Sequence, residues 1–195
     1  MMKKGVRYLV RLANSDLIDV SRYAMVRERL RRILETEGCR INSSRISGTA
    51  IEVDYFAPDR KTAEKSAGIL SRIDRVLTVK CLSDENRADR KREDVMEEAR
   101  ALFNEERFWE VHEVVEGEWK KAEGEEKEIL QGIILYAAAY VHHQKNEKET
   151  ALRMLRRAVE KLGVSADTYY CFDLGKMREM ERTIAAKKNI EIFRL

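Results

Sequence analysis

Residues 83–92 read Ser-Asp-Glu-Asn-Arg-Ala-Asp-Arg-Lys-Arg, a stretch with almost no apolar side chain. A segment that can bury nothing cannot run through a hydrophobic core, so the fold is interrupted there. The hydrophobic period also changes across it. Upstream, apolar and polar residues alternate in short runs, the period of strands; downstream, apolar residues recur every three or four positions, the period of helices. A chain of 195 residues can hold two small domains. The expected division is a domain over 1–83, a charged linker over 84–92 and a second domain over 93–195. Charge follows the same cut. Residues 1–92 carry 21 Lys and Arg against 13 Asp and Glu, a net +8, and the remainder carry 17 against 22, a net −5.

In the first half, Val6, Tyr8, Val10 and Leu12 alternate with Arg7, Leu9 and Arg11, which predicts a strand. Asn14 or Ser15 offers a helix cap, and Leu17, Val20, Ala24, Leu30, Ile33 and Leu34 follow at helical spacing until Gly38. A weak strand from Ile41 and a clear one through Ile51, Val53 and Tyr55 read as a hairpin. Pro58 and Asp59 introduce a second helix through Ala63, Ala67, Leu70 and Ile73, and residues 76–82 supply a last strand. The order strand, helix, strand, strand, helix, strand resembles the ferredoxin-like split arrangement, βαββαβ, with both helices on one face of an antiparallel sheet. Such a fold serves RNA-recognition and small-molecule regulatory domains alike. RNA recognition needs stacking aromatics on the open sheet face. Glu52 and Asp54 occupy that face instead and would repel phosphate, while Arg7, Arg11 and Lys80 pull the other way. Nucleic-acid binding through the basic first domain therefore ranks behind a small-molecule or protein partner.

Cys39, Cys81 and Cys171 lie far apart without a CxxC pair, which argues against a zinc knuckle or a thioredoxin-like motif and suits a reducing cytoplasm. No stretch approaches the roughly 18 apolar residues of a membrane span, and the N-terminus is too charged for a signal peptide. A soluble, cytoplasmic protein is expected. Charged residues make up 37% of the chain, with a single proline and only Gln131 and Gln144 as glutamines, a balance that leans toward a heat-adapted source.

In the second half, Val95, Ala99, Leu102 and Phe103 form one helical stripe, and Phe108, Trp109, His112, Val115 and Trp119 form the next. Residues 129–144 are nearly uncharged, which predicts a central helix apolar almost all round. A fourth helix runs over 148–162 to Gly163. After a loop holding Tyr169, Tyr170 and Phe172, Asp173 caps a fifth helix that runs to Lys187, and residues 190–195 form an extended tail. The fold class is α+β: a ferredoxin-like domain followed by an all-α bundle of about five helices.

Helix residues three, four and seven apart share a face, so Trp109, His112, Glu116 and Trp119 stand together, with Glu113 expected to point elsewhere. On the central helix, Gln131 and His142 line one face with Leu135 and Ala138 between them. Polar residues in so apolar a helix require partners. A short connection makes these helices neighbours, which sets His112 and Glu116 against the Gln131 and His142 face. His143 is the expected exposed neighbour. Phe103-Asn104, Phe108-Trp109-Glu110-Val111-His112-Glu113, Glu116 and Trp119, then Leu130-Gln131-Gly132 and an Ala-rich run into His142, together resemble the family catalogued as domain of unknown function 309. Asn146 and Ala151 resemble its later Asn and Gly-Ala pair, with Thr150 where glycine is usual. The resemblance covers about half of the chain. It implies an all-helical fold with a recurring His, Glu, Trp and Gln set, and no activity.

Three readings of the cluster stay open. A buried network, with Glu116 accepting from His112, fixes helix register. Alternatively His112, Glu116 and His142 hold a divalent metal, zinc, iron or manganese. In the third, His112, oriented by Glu116, is a general base in a pocket walled by Trp109 and Trp119. The candidate catalytic pair is thus His112 and Glu116, and the candidate binding residues are Trp109, Trp119, Gln131 and His142. The leading expectation is a ligand-binding or protein-interaction module, with a metal-dependent enzyme, a hydrolase, as the alternative. The apolar residues around Tyr169, Tyr170 and Phe172 either cover the bundle, the commoner outcome, or form a homodimer contact.

Overall fold

The structure, a computed structural model, describes residues 5–84 and 90–195. Part of the expected linker, 85–89, lies outside the described residues. The chain divides into two compact units, one formed by the first half with residues 144–146 and the other by the remainder.

The first unit contains strand β1 (Val6–Ala13), helix α1 (Tyr23–Thr36), β2 (Arg40–Ile46), β3 (Ala50–Ala57), α2 (Arg60–Leu70) and β4 (Val76–Cys81). Its sheet is antiparallel in the order β2-β3-β1-β4, the split βαββαβ arrangement the alternating segments imply. Tyr8, Val10 and Leu12 of β1 and Ile51, Val53 and Tyr55 of β3 project to one side. There they meet Val26, Leu30 and Leu34 of α1 and Ala63, Ala67 and Leu70 of α2. Tyr55 donates its hydroxyl hydrogen to the Ala63 carbonyl at 2.7 Å, which ties sheet to helix. Helix α1 begins later than its apolar pattern suggests. Leu17 adopts φ 49, a left-handed conformation that interrupts a helix, and Asn14 closes this turn by accepting from the Ile18 amide at 2.8 Å. Asp19 then caps a short 3-10 turn that leads into α1.

On the opposite side of the sheet the expected carboxylates are matched by arginines. Arg7 grips Asp54 with two hydrogen bonds, 2.9 and 2.7 Å, and a bulge at Asn42 lets its side-chain amide donate to the same carboxylate at 2.7 Å. Glu52 accepts from Arg45 Nε at 2.7 Å and stands 3.3 Å from Arg11 Nε. Arg11 and Arg45 stand directly opposite Glu52 on the neighbouring strands and Arg7 reaches Asp54 diagonally, distances at which such cross-strand pairs form.

The second unit holds five helices among the described residues: α3 (Arg92–Asn104), α4 (Phe108–Trp119), α5 (Gly124–His143), α6 (Lys148–Leu162) and α7 (Leu174–Lys187). A short hairpin, β5 (Thr168–Tyr169) with β6 (Phe172–Asp173), occupies the expected loop, and Asp173 caps α7 by accepting from the Lys176 amide at 2.7 Å. Helix α5 packs on both α4 and α6 and buries half of its own length. The contact with α6 is unusually close. An added Cβ at Gly132 would stand 2.6 Å from Leu162 Cδ2 and 2.9 Å from the Leu162 amide nitrogen. An aromatic cluster fills the α3–α4–α5 side: Phe108 stacks on Tyr140 at 4.6 Å and meets the edge of Phe103 at 5.0 Å. The tail lies over it. Phe193 packs edge-on to Phe103, Asn104 exchanges two hydrogen bonds with Leu195, and the Tyr140 hydroxyl donates to the Glu191 carbonyl.

Gly132→Ala sets two effects against each other. A mid-helix alanine gains about 1 kcal/mol over glycine, while overpacking against another helix costs up to about 3 kcal/mol. The backbone of Leu162 cannot rotate away as a side chain can, so the expected net is a loss of about 2 kcal/mol in urea unfolding. A neutral or stabilising result would show that α5 and α6 can separate freely at this point.

Candidate functional site

Helix α4 divides into two faces. Phe108, Val111 and Val115 enter the core, and two glutamates go in with them. Glu110, only 5% exposed, is held by a fork of Arg107 hydrogen bonds at 2.7 and 2.8 Å. Glu118 accepts from Arg92 and Lys121, each at 3.1 Å. Burial by itself would lower the Arg107 pKa, but its bonds to Glu110 and Glu105 outweigh that and leave it raised. Arg92 also pairs with Glu126, whose pKa it lowers, and the Tyr169 hydroxyl donates to the same carboxylate at 2.9 Å. The sequence pattern does not single out Glu110 or Glu118. The available signal is spacing, an arginine three residues before Glu110 and a lysine three after Glu118.

The other face of α4 carries Trp109, His112, Glu113, Glu116 and Trp119, all half-exposed. His112, Glu113 and Glu116 each offer one ligand atom, and the three atoms lie within 4.8 Å of one another. Glu113, expected to point elsewhere, belongs to this set: its Oε1 stands 3.6 Å from His112 Nδ1. Adjacent helical residues diverge by about 100°, but a glutamate stem is long enough to swing back across that angle. Glu116 meets Lys120 at 3.0 Å, and His112 Nδ1, although enclosed, has no hydrogen-bond partner among the described residues. The Lys127 ammonium sits over the Trp119 ring at 5.1 Å.

On α5, Gln131, Leu135, Ala138 and His142 fall on one face at spacings of four, three and four, and all are half-exposed. The cluster is therefore semi-open where the sequence suggested a buried one, because α5 turns its fully apolar sides to α4 and α6 and leaves this stripe at the surface. His142 is not drawn to His112 and Glu116. Its Nδ1 bonds to Glu147 across the turn into α6, where the Glu147 backbone amide also donates to the His142 carbonyl at 2.9 Å. The structure thus brings His112 and Glu116 together, adds Glu113, and gives His142 a local partner of its own. The sequence-expected bond from His112 to Glu116 is not formed at Nδ1.

Arg107→Ala strips the buried Glu110 carboxylate of its bidentate partner. Breaking a fully buried pair costs about 3–5 kcal/mol. Because Arg107 is itself 24% exposed, water reaches the vacated space and the expected loss is about 2 kcal/mol by denaturant unfolding. Adding Glu110→Met should recover part of it by removing the stranded charge. A single variant as stable as the parent would make this pair dispensable.

Residues 96–154 match the model of the family described as Domain of unknown function (DUF309). Among solved structures, a conserved hypothetical protein from Thermus thermophilus is 35% identical over 47% of this chain and 95% of its own, with a TM-score of 0.42. No curated protein matches the chain. No helix among the described residues is long and apolar enough to cross a membrane. The C-terminal half of the chain thus resembles the domain of unknown function 309 family, on the residues from Phe103 to His142 that carry the likeness.

Proposed function

We propose that the helical unit is a ligand-binding module whose site is the half-exposed face of α4, and that the ligand held there is a divalent cation. One observation carries the reading: an imidazole and two carboxylates converge within 4.8 Å while the enclosed His112 Nδ1 has no hydrogen-bond partner among the described residues. A nitrogen that only fixed helix register would be bonded to a neighbouring group, as Glu110 is bonded to Arg107. One nitrogen and two oxygen donors suit zinc, iron or manganese. Relative to the expected His112, Glu116 and His142 triad, the ligand set becomes His112, Glu113 and Glu116. Trp109 and Trp119 flank it and limit the size of what approaches.

The same set favours a second reading, a metal-dependent hydrolase. Three ligands on one helix cover only one side of a cation and leave positions for water and substrate, the open coordination that metal-assisted hydrolysis uses. Nucleic-acid binding through the sheet is disfavoured, because Arg7, Arg11 and Arg45 are already matched by Asp54 and Glu52.

Elemental analysis of protein purified without an affinity tag is expected to find near-stoichiometric metal. His112→Ala and Glu116→Gln should each lower zinc or manganese affinity at least about tenfold, the usual scale for a lost ligand or its support. Both positions are half-exposed, so circular dichroism should show the fold retained. Absence of metal, or affinity unchanged in both variants, would refute the cation reading and with it the hydrolase.

A further inference from the structure

Between α6 and α7 lies a cavity of about 230 Å³ built from none of the residues of the His112 face. Its apolar lining is Leu152 and the buried Leu155 from α6 with the buried Ile184 and the exposed Ala185 from α7. Its rim carries Arg153, Arg156 and Lys188 together with Glu149 and Glu181. Elsewhere in this unit neighbouring charges of opposite sign meet, as in Arg92 with Glu118 and Lys161 with Glu128. Around this cavity they do not. Arg153 reaches only Thr150 Oγ1, at 3.2 Å, and the side chains of the other four rim residues make no hydrogen bond or ion pair among the described residues.

Separated charges of both signs around an apolar lining select for a ligand that carries both signs and an apolar body. A plain anion would face Glu149 and Glu181 with like charge, and a plain amine would face three cations. The volume falls below the range of about 300–1,000 Å³ that drug-sized ligands occupy, so the ligand is small. We infer that this cavity binds a free aliphatic α-amino acid of the leucine type. Arg153 and Arg156, three residues apart on one helix face, receive the planar carboxylate, which guanidinium groups match with paired N–H donors. Glu181 receives the ammonium group, and the aliphatic side chain covers Leu152, Leu155, Ile184 and Ala185.

The test is a two-dimensional amide NMR titration of the full chain with L-leucine, 4-methylpentanoate, 3-methylbutylamine and glycine; the last three delete the ammonium, the carboxylate and the apolar body in turn. Leucine is expected to saturate shifts along α6 and α7 with a Kd of about 1 mM, the scale for so few atoms. Each of the other probes should bind at least about tenfold more weakly. Arg156→Ala should weaken leucine about tenfold, and Ala185→Trp, which places an indole at the mouth of the cavity, should abolish binding. Both positions are exposed, so either variant keeps its fold. No saturation by about 20 mM leucine, 4-methylpentanoate binding as tightly as leucine, or an Arg156→Ala variant that binds like the parent would each overturn the assignment.

Discussion

The helical unit depends on the approach of α5 to α6 at Gly132, where the absence of a side chain lets the Leu162 backbone come into contact with the α5 backbone. Once those two helices are locked, α5 can present only certain faces elsewhere. Its aromatic side, Tyr136 and Tyr140, turns into the cluster with Phe103 and Phe108, where burial raises both hydroxyl pKa values and backbone carbonyls of Met177 and Glu191 accept their hydrogens. The stripe that remains, from Gln131 to His142, is the one left half-exposed. The placement of the polar residues is thus a consequence of packing on the other sides of the helix.

Charge plays two different parts in this chain. In the sheet, and along the core-facing side of α4, arginines are matched to carboxylates with short bidentate geometry, which satisfies groups that burial would otherwise penalise. Such pairs set orientation and leave little for a ligand to use. On the outer face of α4 the His112 Nδ1 has no hydrogen bond among the described residues, and around the α6–α7 cavity the rim charges are not paired with one another. Glu110 and Glu113, three residues apart in one motif, fall on opposite faces of α4, the first in the core and the second on the half-exposed side.

Much of the architecture was legible in the sequence because it rests on local periodicity. The alternation at Val6 to Leu12 and at Ile51 to Tyr55, the caps at Asp59 and Asp173, and the five helical stripes after Arg92 all depend on neighbours within a turn or two. The start of α1 was not legible: Leu17 is a good helix former, and only the closure of the Asn14 turn by Ile18 and Ser47 forces it left-handed. The hairpin at Thr168 to Asp173 has no signature in the sequence, because two-residue strands have no period to detect.

For the candidate site the division is similar. Sequence determined that His112 and Glu116 share a face, that Gln131 and His142 share another, and that the two helices are neighbours, since each follows from helical spacing and a short connection. Tertiary structure decided the rest: that Glu113 swings to His112, that His142 turns to Glu147, and that Glu110 and Glu118 are buried with arginine partners. Spacing along a helix fixes only the direction in which a side chain leaves the backbone. Which way a long, flexible side chain then bends depends on the charges and free volume it meets, and those come from residues distant in the chain.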